Sequence, residues 1–292
     1  MTTKESIKIK VYRIATNLLA PLKGLGLRRF KIVRKGLSLI KSRSANVRGH
    51  LMYLNTLDFT MYEPLITNTF ESYETEIVLG MIKKDDVVMD LGANIGYYTL
   101  LIAQKIGPQG QIWAFEQEPR NFKLLKKNIA VNGYTNTTLS SYALSDHKGE
   151  STLYSNTYNK GDNRIFPSRG FETMPIKLET LDSVLPTSMH GKVNFIKMDI
   201  QGAECLALRG MTSILDKSKN LKMAMEFWPQ KLLRAGTSAG EVIDILERNK
   251  FTYSIIDESQ KKLIPVNRNE LLSSIPENDA DSAVNLLCVR NR

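Results

Sequence analysis

Short apolar runs alternate along the chain with segments of helical spacing, and this pattern predicts strands that alternate with helices. The run Val87–Leu91 is apolar except at Asp90, as in a central parallel strand that is buried on both faces. A turn with glycines at positions 92 and 96 follows, and apolar residues then recur at helical spacing over residues 95–106. Gly107 and Pro108 are typical of the end of such a helix.

The same alternation continues towards the C-terminus and predicts an α/β fold with a mostly parallel sheet and helices on both of its faces. Further strands are predicted at Gln111–Glu116, Thr137–Asp146, Val193–Ile200, Phe251–Ile256 and Val284–Arg290, and one more that ends at Glu226. Helices are predicted at Pro119–Val131, Ala203–Met211 and Glu241–Arg248. Ligands of open α/β sheets bind where the parallel strands end, so the strand ends hold the first candidates for a site.

The glycine turn after the first of these strands indicates which cofactor the chain binds. The segment Ala93–Ile95, with Asn94 at its centre, separates Gly92 from Gly96, so the middle glycine of the dinucleotide pattern G-x-G-x-x-G is missing. Asp90 would repel a phosphate but attract a cation. S-adenosylmethionine carries a sulfonium, an ammonium and a ribose but no phosphate, and we expect it here. A turn that binds nothing is the alternative.

The second strand carries a candidate for the ribose hydroxyls. Glu116 ends that strand and lies 20 residues after Gly96, the distance at which this fold places such an acid. Glu118 is its competitor, but it precedes a proline that is typical of a helix start. Ser145 and Asp146, in the loop that leaves the predicted third strand, are candidates for the edge of the adenine ring, and a plain turn residue is the alternative for Asp146.

Four segments together resemble a known family. DLGANIGYYT, FEQEP, YALSD and FIKMDIQGAECLALRG are similar to segments of the FkbM-type S-adenosylmethionine-dependent methyltransferases, and the resemblance covers residues 73–290. It implies a class I, Rossmann-like sheet of seven strands, with the cofactor at the carboxyl ends of strands one and two. It also implies methyl transfer to oxygen, often on sugars or on hydroxyls of secondary metabolites.

The resemblance extends to two further positions. Family members often carry an acid after an aromatic residue before the first strand, folded over the methionine end of the cofactor, and Glu74 matches it. An acid in the first turn of a helix is the alternative reading of Glu74. The family usually has an acid where this chain has Gln201, so the resemblance assigns Gln201 no catalytic role.

Three acids are candidates for the chemistry of methyl transfer, which aligns the acceptor oxygen with the methyl group and removes the acceptor proton. Asp199 ends the predicted fourth strand and is expected to contact the acceptor or the sulfonium. Glu204 lies in the first turn of the next helix, where capping its own helix is the alternative. Glu226 ends the fifth strand, beside Phe227 and Trp228, which are candidates for the wall of an acceptor pocket.

The segment 151–179 is predicted to be an insertion between the third and fourth strands. It is rich in Asn, Gly, Ser and Arg, and its ends have the composition of strands. Loops of this kind often determine the choice of substrate, and Tyr158, Asn159, Asn163 and Arg164 are candidates for binding a polar acceptor. A plain surface hairpin is the alternative.

Length and composition fit one catalytic domain, predicted at residues 51–292, with an N-terminal extension over residues 1–50. The chain has 292 residues, of which 42% are hydrophobic, enough for one substantial core. Its two cysteines, Cys205 and Cys288, fall in a predicted helix and strand, so we expect buried, reduced thiols and a cytoplasmic location. The three histidines form no spaced pair with another His or Cys, so no metal site is predicted.

The extension carries the positive charge of the chain. Residues 1–50 hold seven Lys, six Arg and one Glu, a net charge of +12, whereas the whole chain has +10. Apolar residues recur at helical spacing over 7–22 and 27–40, and no apolar run reaches the length that spans a bilayer. Residues 7–41 are therefore predicted to contact an anionic membrane surface, or to pack on the chain's own domain or on a second copy in a homo-oligomer. Among the possible partners of this extension, nucleic acid is the least favoured, because the rest of the chain is not basic.

The sequence thus predicts a methyltransferase that uses S-adenosylmethionine to methylate a hydroxyl of a small molecule or glycan. Two alternatives stay open. In the first, the chain is a non-catalytic protein of this fold that docks to a membrane or a partner. In the second, it is a methyltransferase that acts on a macromolecule. The motif Asn/Asp-Pro-Pro-Tyr/Phe, which enzymes that methylate amino groups of bases carry, does not occur in the sequence.

Overall fold

The computed structural model describes residues 3–18, 31–156, 159, 161–275 and 282–290. The N-terminal elements are α1 (Thr3–Leu18), α2 (Lys31–Ile40), β1 (Ser44–Val47), β2 (His50–Tyr53), α3 (Tyr62–Thr67) and α4 (Ser72–Met81). The elements that follow are β3 (Val87–Leu91), α5 (Tyr97–Ile106), β4 (Gln111–Phe115), α6 (Pro119–Val131), β5 (Thr137–Ser140), β6 (Ala143–Leu144), β7 (Gly149–Ser155), β8 (Asn163–Arg164), β9 (Glu172–Glu179) and α7 (Leu181–Val184). The last elements are β10 (Val193–Met198), α8 (Glu204–Arg209), α9 (Thr212–Lys217), β11 (Lys222–Phe227), α10 (Pro229–Arg234), α11 (Ala239–Arg248), β12 (Phe251–Asp257), β13 (Lys262–Val266), α12 (Arg268–Ser274) and β14 (Val284–Arg290).

The central sheet confirms the predicted α/β class. Among the described residues it has eight strands, in the order β13-β12-β14-β11-β10-β3-β4-β5. The strands from β11 to β5 pair in parallel, and β14 lies antiparallel between β11 and β12. The family resemblance implies seven strands; the eighth, β13, pairs antiparallel with β12 and extends the edge of the sheet.

Alternate residues of the central strands pack into two separate apolar layers, which explains why these strands are apolar throughout. Val88 of β3 belongs to the same apolar layer as Leu100 of α5, whereas its neighbour Met89 belongs to the other layer, together with Leu208 of α8. Both layers bury these residues completely, so a strand here needs apolar side chains at consecutive positions. Cys205 and Cys288 lie free and buried, as predicted.

The parallel pairing brings the ends of four strands to one edge of the sheet. Leu91 of β3 is opposite Phe115 of β4 and Met198 of β10, and Met198 is opposite Met225 of β11. Residues that directly follow these positions along the chain therefore meet at the same edge, which is where open α/β sheets bind ligands.

The predicted third strand and the insertion are organised differently from the expectation. The segment Thr137–Asp146 divides: β5 belongs to the central sheet, whereas β6 pairs in parallel with β9 in a second sheet of order β6-β9-β7-β8. The backbone N–H of Ser145 donates to the carbonyl of Glu179, so the chain leaves the central sheet before this point. Among the described residues, the insertion thus forms most of a four-stranded sheet, which β6 completes, rather than a single hairpin.

The N-terminal extension packs on the domain that follows it. The rings of Tyr12 in α1 and Tyr62 in α3 are in edge-to-face contact, with centroids 4.9 Å apart. The ammonium of Lys41 donates to the carbonyl of Asp58 at 2.6 Å and lies 3.7 Å from the centroid of the Phe59 ring. No helix within the described ranges is long and apolar enough to cross a membrane.

Candidate active site

A cavity of about 330 Å³ lies at the edge where β3, β4, β10 and β11 end. The segment 60–71, which includes α3, and the segment 159–163 form its remaining walls. Among the described residues, its lining includes six acids and two lysines: Glu71, Asp90, Glu116, Asp162, Asp199, Glu226, Lys197 and Lys231. Such a predominance of carboxyl groups fits a cationic ligand and disfavours a phosphate.

The glycine turn after β3 packs against the backbone at the end of β10. Gly92 has a φ of +90°, and a Cβ at this position would lie 2.0 Å from the carbonyl oxygen of Asp199. A side chain at position 92 is therefore excluded by backbone, and not only by a ligand. Asp90 lines the cavity and accepts a 2.6 Å hydrogen bond from the Thr99 hydroxyl. Burial raises the pKa of Asp90 to about 6.

Glu116 lines the cavity, whereas its competitor Glu118 does not. Each carboxylate oxygen of Glu116 accepts one backbone N–H, from Asn94 and from Glu118, at 2.8 Å. Glu118 instead caps α6 by accepting from the backbone N–H of Asn121. Burial raises the pKa of Glu116 to about 8. The backbone thus holds Glu116 at the cavity with lone pairs left for a ligand.

The two other turn residues predicted to bind the cofactor have different positions. Asn94 lines the cavity, with a left-handed φ of +51° and its side-chain amide 3.1 Å from the sulfur of Met61. Gly96 is not part of the lining; a Cβ there would lie 2.8 Å from a methyl carbon of Leu125 in α6. Gly96 therefore allows α5 and α6 to pack closely.

Glu74 lies behind the cavity wall rather than in it. Its carboxylate is buried, forms an ion pair with Lys197 at 3.0 Å, and accepts a hydrogen bond from Asn285. Lys197, which sequence analysis did not single out, lies between Glu74 and the cavity. Burial by itself lowers the pKa of Lys197, but the surrounding carboxylates, Glu74 foremost, raise it above its ordinary value. Glu74 is not among the residues that line the cavity, so the structure does not support a direct cofactor contact of Glu74.

Glu71, three residues earlier, takes the position in the lining that was expected for Glu74. Its carboxylate accepts a 2.9 Å hydrogen bond from the Tyr98 hydroxyl. Burial, and then the nearby charge of Glu74, raise the pKa of Glu71 to about 8. The predicted position was wrong by three residues. Glu71 directly precedes α4 and Glu74 lies in its first turn, and tertiary packing determines which of the two acids faces the cavity.

Gln201 connects the acids on the other side of the cavity. Its amide nitrogen donates to Asp199 at 2.6 Å and to Glu226 at 3.1 Å, and its amide oxygen accepts from the ammonium of Lys231. Burial, followed by the charge of Asp199, raises the pKa of Glu226 well above its ordinary value. A cluster of two acids, one amide and one lysine thus faces the cavity where β10 and β11 end.

Lys231 joins this cluster to the insertion. Its buried ammonium lies 3.4 Å from the centroid of the Trp228 ring and 3.5 Å from the carboxylate of Asp162. Burial raises the pKa of Asp162, but two 2.7 Å hydrogen bonds from Arg164 hold it below its ordinary value. No pattern in the sequence marks Lys231 or Asp162, because their contact forms only in three dimensions.

Of the four acceptor candidates in the insertion, two line the cavity, one does not, and one lies outside the described residues. Asn159 and Asn163 line the cavity. Arg164 is not among the lining residues and instead fixes the Asp162 carboxylate. Tyr158 lies outside the described residues.

Glu204, predicted to be catalytic, is directed away from the cavity. It is fully buried, and its two carboxylate oxygens accept the backbone N–H groups of Ile200 and Gly202 at 3.1 and 2.9 Å. Burial raises its pKa to about 7. Glu204 therefore stabilises the turn between β10 and α8, which was the alternative reading. It is not among the residues that line the cavity, so the structure does not support the catalytic assignment.

Ser145 and Asp146 are not among the residues that line the cavity, so the structure does not support their assignment to the adenine ring. The two residues follow β6, which belongs to the second sheet. The carboxylate of Asp146 contacts the imidazole of His147 at 2.6 Å and the guanidinium of Arg209 at 3.6 Å. The physical reason is that the chain leaves the central sheet after β5, several residues before Ser145.

Comparisons with known proteins point to methyltransferases. The sequence model described as methyltransferase FkbM domain matches residues 90–253, which is more than half of the chain. A relative named hexuronic acid methyltransferase AglP, from Haloferax volcanii, is 26% identical over 179 residues, which cover 61% of this chain and 69% of the relative. Methyltransferase sdnD from Sordaria araneosa is 28% identical over 155 residues, which cover 42% of this chain and 60% of the relative.

Solved structures with a similar fold have low sequence identity. A precorrin-6y C5,15-methyltransferase from Geobacter metallireducens aligns with a TM-score of 0.43 at 12% identity, over 76% of this chain and 88% of that chain. An S-adenosylmethionine-dependent O-methyltransferase from Thermotoga maritima aligns with a TM-score of 0.41 at 13% identity, over 76% of this chain and 64% of that chain.

Proposed function

The chain belongs to the FkbM family of S-adenosylmethionine-dependent methyltransferases, and we propose that it methylates a hydroxyl oxygen of a sugar-like acceptor. The observation that carries this proposal is the cluster of Asp199, Gln201 and Glu226 at the strand ends that line the cavity. An alcohol is a poor nucleophile until it loses its proton, so its methylation benefits from a carboxylate within hydrogen-bond reach.

The cofactor fits the side of the cavity formed by β3 and β4. Asp90, Asn94 and Glu116 line that side, and Gly92 leaves its backbone uncovered by a side chain. We assign Glu116 to the ribose hydroxyls, because it ends β4 and its carboxylate is fixed by two backbone amides. Asp90 and the neighbouring Glu71 provide negative charge for the cationic end. S-adenosylmethionine supplies an electrophilic methyl group on a sulfonium when it is bound.

Asp199 is the proposed acceptor of the proton from the hydroxyl. The amide of Gln201 donates to one oxygen of Asp199 and thereby fixes the orientation of the carboxylate. Glu226 accepts a hydrogen bond from the same amide nitrogen, and burial raises the pKa of Glu226 well above its ordinary value. Acids in different surroundings can take different roles in one site, and we assign the proton transfer to Asp199.

Two features favour a sugar or a similarly hydroxylated acceptor. Trp228 offers an aromatic surface in the lining, beside the amide side chains of Asn159 and Asn163. Binding sites for small polar molecules commonly combine such a flat apolar surface with a few placed hydrogen-bonding groups. The name of the relative from Haloferax volcanii, a hexuronic acid methyltransferase, agrees with this class of acceptor.

The test is to identify the product. The purified full-length chain is incubated with S-adenosylmethionine that carries an isotope-labelled methyl carbon and with a panel of free and nucleotide-linked sugars, uronic acids among them. An O-methyl carbon has an NMR chemical shift well separated from that of an N-methyl or S-methyl carbon. The proposal expects at least one O-methylated sugar. Methylation of a protein or RNA in the same assay, with all sugars unmodified, would contradict it.

A carboxylate oxygen of an acidic sugar is a second candidate acceptor, and the position of Lys231 favours it. The ammonium of Lys231 is buried in the cavity lining, where it can balance an anionic substrate. Carboxylate methylation needs no proton acceptor. Asp199→Asn therefore distinguishes the two candidates: a large loss of rate supports the hydroxyl, and a nearly unchanged rate supports the carboxylate.

A further inference from the structure

Helix α1 has two faces with opposite surroundings. Tyr12 and Thr16 are 3% and 2% exposed and face the domain. Ile7, Val11 and Ile14 are 56%, 43% and 61% exposed, and their i, i+4, i+7 spacing aligns them in one stripe along the opposite face. Single exposed apolar residues are common on proteins, but three in register on one helix form a continuous apolar surface.

Basic residues flank this stripe. Lys10 and Arg13 are exposed and lie next to it on the helix surface. Leu39 of α2, the helix in contact with α1, is 72% exposed. The first 50 residues carry a net charge of +12. An apolar stripe with basic residues at its side is the pattern of a helix that lies in the interface of an anionic membrane.

The outward face belongs to a helix that is fixed to the cavity wall. Tyr12 packs on Tyr62, and the ammonium of Lys41 donates to the carbonyl of Asp58. The carboxylate of Asp58 in turn accepts the backbone N–H of Met61, which lines the cavity. The exposed stripe is therefore held in a defined position relative to the site, as a docking surface requires.

We propose that the stripe of Ile7, Val11 and Ile14, with Lys10 and Arg13, docks the protein on an anionic lipid surface. A second copy is a poorer occupant, because an antiparallel pair of such stripes brings the basic residues of both copies close together. Nucleic acid would use the charge but leave the apolar stripe exposed. The proposal goes beyond methyl transfer, since it concerns where the reaction takes place.

Flotation with vesicles tests it. The full-length protein is mixed with vesicles of phosphatidylcholine alone, or of phosphatidylcholine with a quarter phosphatidylglycerol. We expect binding to the anionic vesicles, and its loss as salt is raised. The double variant Ile7→Ser, Ile14→Ser should lower the partition coefficient by about tenfold, because it removes apolar surface from the interface. Lys10→Gln with Arg13→Gln should lower it by about tenfold as well.

Val11→Ser and Val131→Ser form a matched pair, since both valines are 43% exposed. Only Val11→Ser should weaken vesicle binding. All variants should retain the melting temperature and the affinity for S-adenosylmethionine, so that failure of docking is separate from failure of the methyltransferase assignment. Equal binding of wild-type and Ile7→Ser, Ile14→Ser protein would overturn the proposal. So would a dimer in analytical ultracentrifugation that the same double variant dissociates.

Discussion

The two sides of the cavity hold their acids by different means. On the cofactor side, backbone amides of Asn94 and Glu118 bind the carboxylate of Glu116, and the turn that supplies Asn94 follows directly from β3. On the opposite side, where β10 and β11 end and where the acceptor is proposed to bind (the acceptor side), side chains bind one another. Gln201 contacts Glu226, 25 residues later, and Lys231, 30 residues later.

This difference teaches which side can change during evolution without loss of the fold. The carboxylate of Glu116 is held by backbone amides, so its position depends on the shape of the local turn, and few substitutions within the turn preserve that shape. The amide of Gln201 is held by side chains, so a single substitution removes a contact while the backbone stays in place. We therefore interpret the cofactor side as the constant part of the site and the acceptor side as the adaptable part.

The largest effect is expected where the two sides touch. Gly92→Ala places a Cβ 2.0 Å from the carbonyl oxygen of Asp199, at a φ of +90°. The backbone of β3 or β10 must then move, and we expect a loss of about 3 kcal/mol or more in the free energy of unfolding. Binding of S-adenosylmethionine should be abolished as well. Chemical denaturation and titration calorimetry measure both effects.

Gly49→Ala is the matched control for this substitution. Gly49 has nearly the same φ, +93°, but a Cβ there meets no atom within 4 Å. The backbone strain alone should cost about 1 kcal/mol and leave cofactor binding intact. Equal losses in the two variants would show that the contact between Gly92 and Asp199 has no special importance.

Asp199→Asn tests whether the acceptor side can lose its function while the cofactor side keeps its affinity. The amide keeps the shape of the side chain but cannot accept the acceptor's proton, so kcat should fall by about a hundredfold or more. The dissociation constant of S-adenosylmethionine should stay within about threefold, because the cofactor side is held independently. Steady-state kinetics and calorimetry on the same preparation provide the two numbers.

Asp146→Asn serves as the comparison, because Asp146 lies away from the cavity and contacts His147 and Arg209. Its kcat should equal that of the wild type. A parallel fall of kcat in both variants would remove the special role of Asp199. A tenfold or greater loss of cofactor affinity in Asp199→Asn would show that the two sides are not independent.

Gln201→Glu and Gln201→Met test whether the shared amide positions Asp199. Both remove the N–H groups that Asp199 and Glu226 accept, and we expect kcat to fall by about tenfold with the KM for S-adenosylmethionine unchanged. Gln201→Glu also adds a negative charge between two acids. This should raise their pKa values and move the acidic limb of the rate profile to higher pH, whereas Gln201→Met should lack that shift. Unchanged pH profiles in both variants would indicate a purely structural role.

The same contrast explains how much of the molecule the sequence predicted. Periodicity and glycine turns located β3, β4, β10 and β11, because burial on both faces and a tight turn each impose local residue types. Glu116 was preferred over Glu118 for the same reason, since a proline after Glu118 is a local signal for a helix start. Its position in the lining agrees with that preference, although its role stays a proposal.

Predictions failed where tertiary packing decides. Glu71 precedes α4 with a left-handed φ of +41°, whereas Glu74 lies in the first turn of the helix, and no local pattern shows which of the two acids faces the cavity. Lys197 and Lys231 have ordinary sequence surroundings, and their burial depends on acids from distant segments. Ser145 was placed at the cofactor because the segment was interpreted as one strand, whereas pairing with β9 removes β6 from the central sheet.

The smallest effect is a pH dependence confined to the cofactor side. Burial raises the pKa of Asp90 to about 6, and that of Glu71 and of Glu116 to about 8, so these acids take up protons in the empty cavity as the pH falls. A bound sulfonium favours the ionised acids, and the affinity for S-adenosylmethionine should therefore rise by about tenfold between pH 6 and pH 8. S-adenosylhomocysteine has the same amino acid end but no sulfonium, so its affinity should rise less. Calorimetry at several pH values compares the two ligands, and parallel curves would show that the acids do not respond to the charge on sulfur.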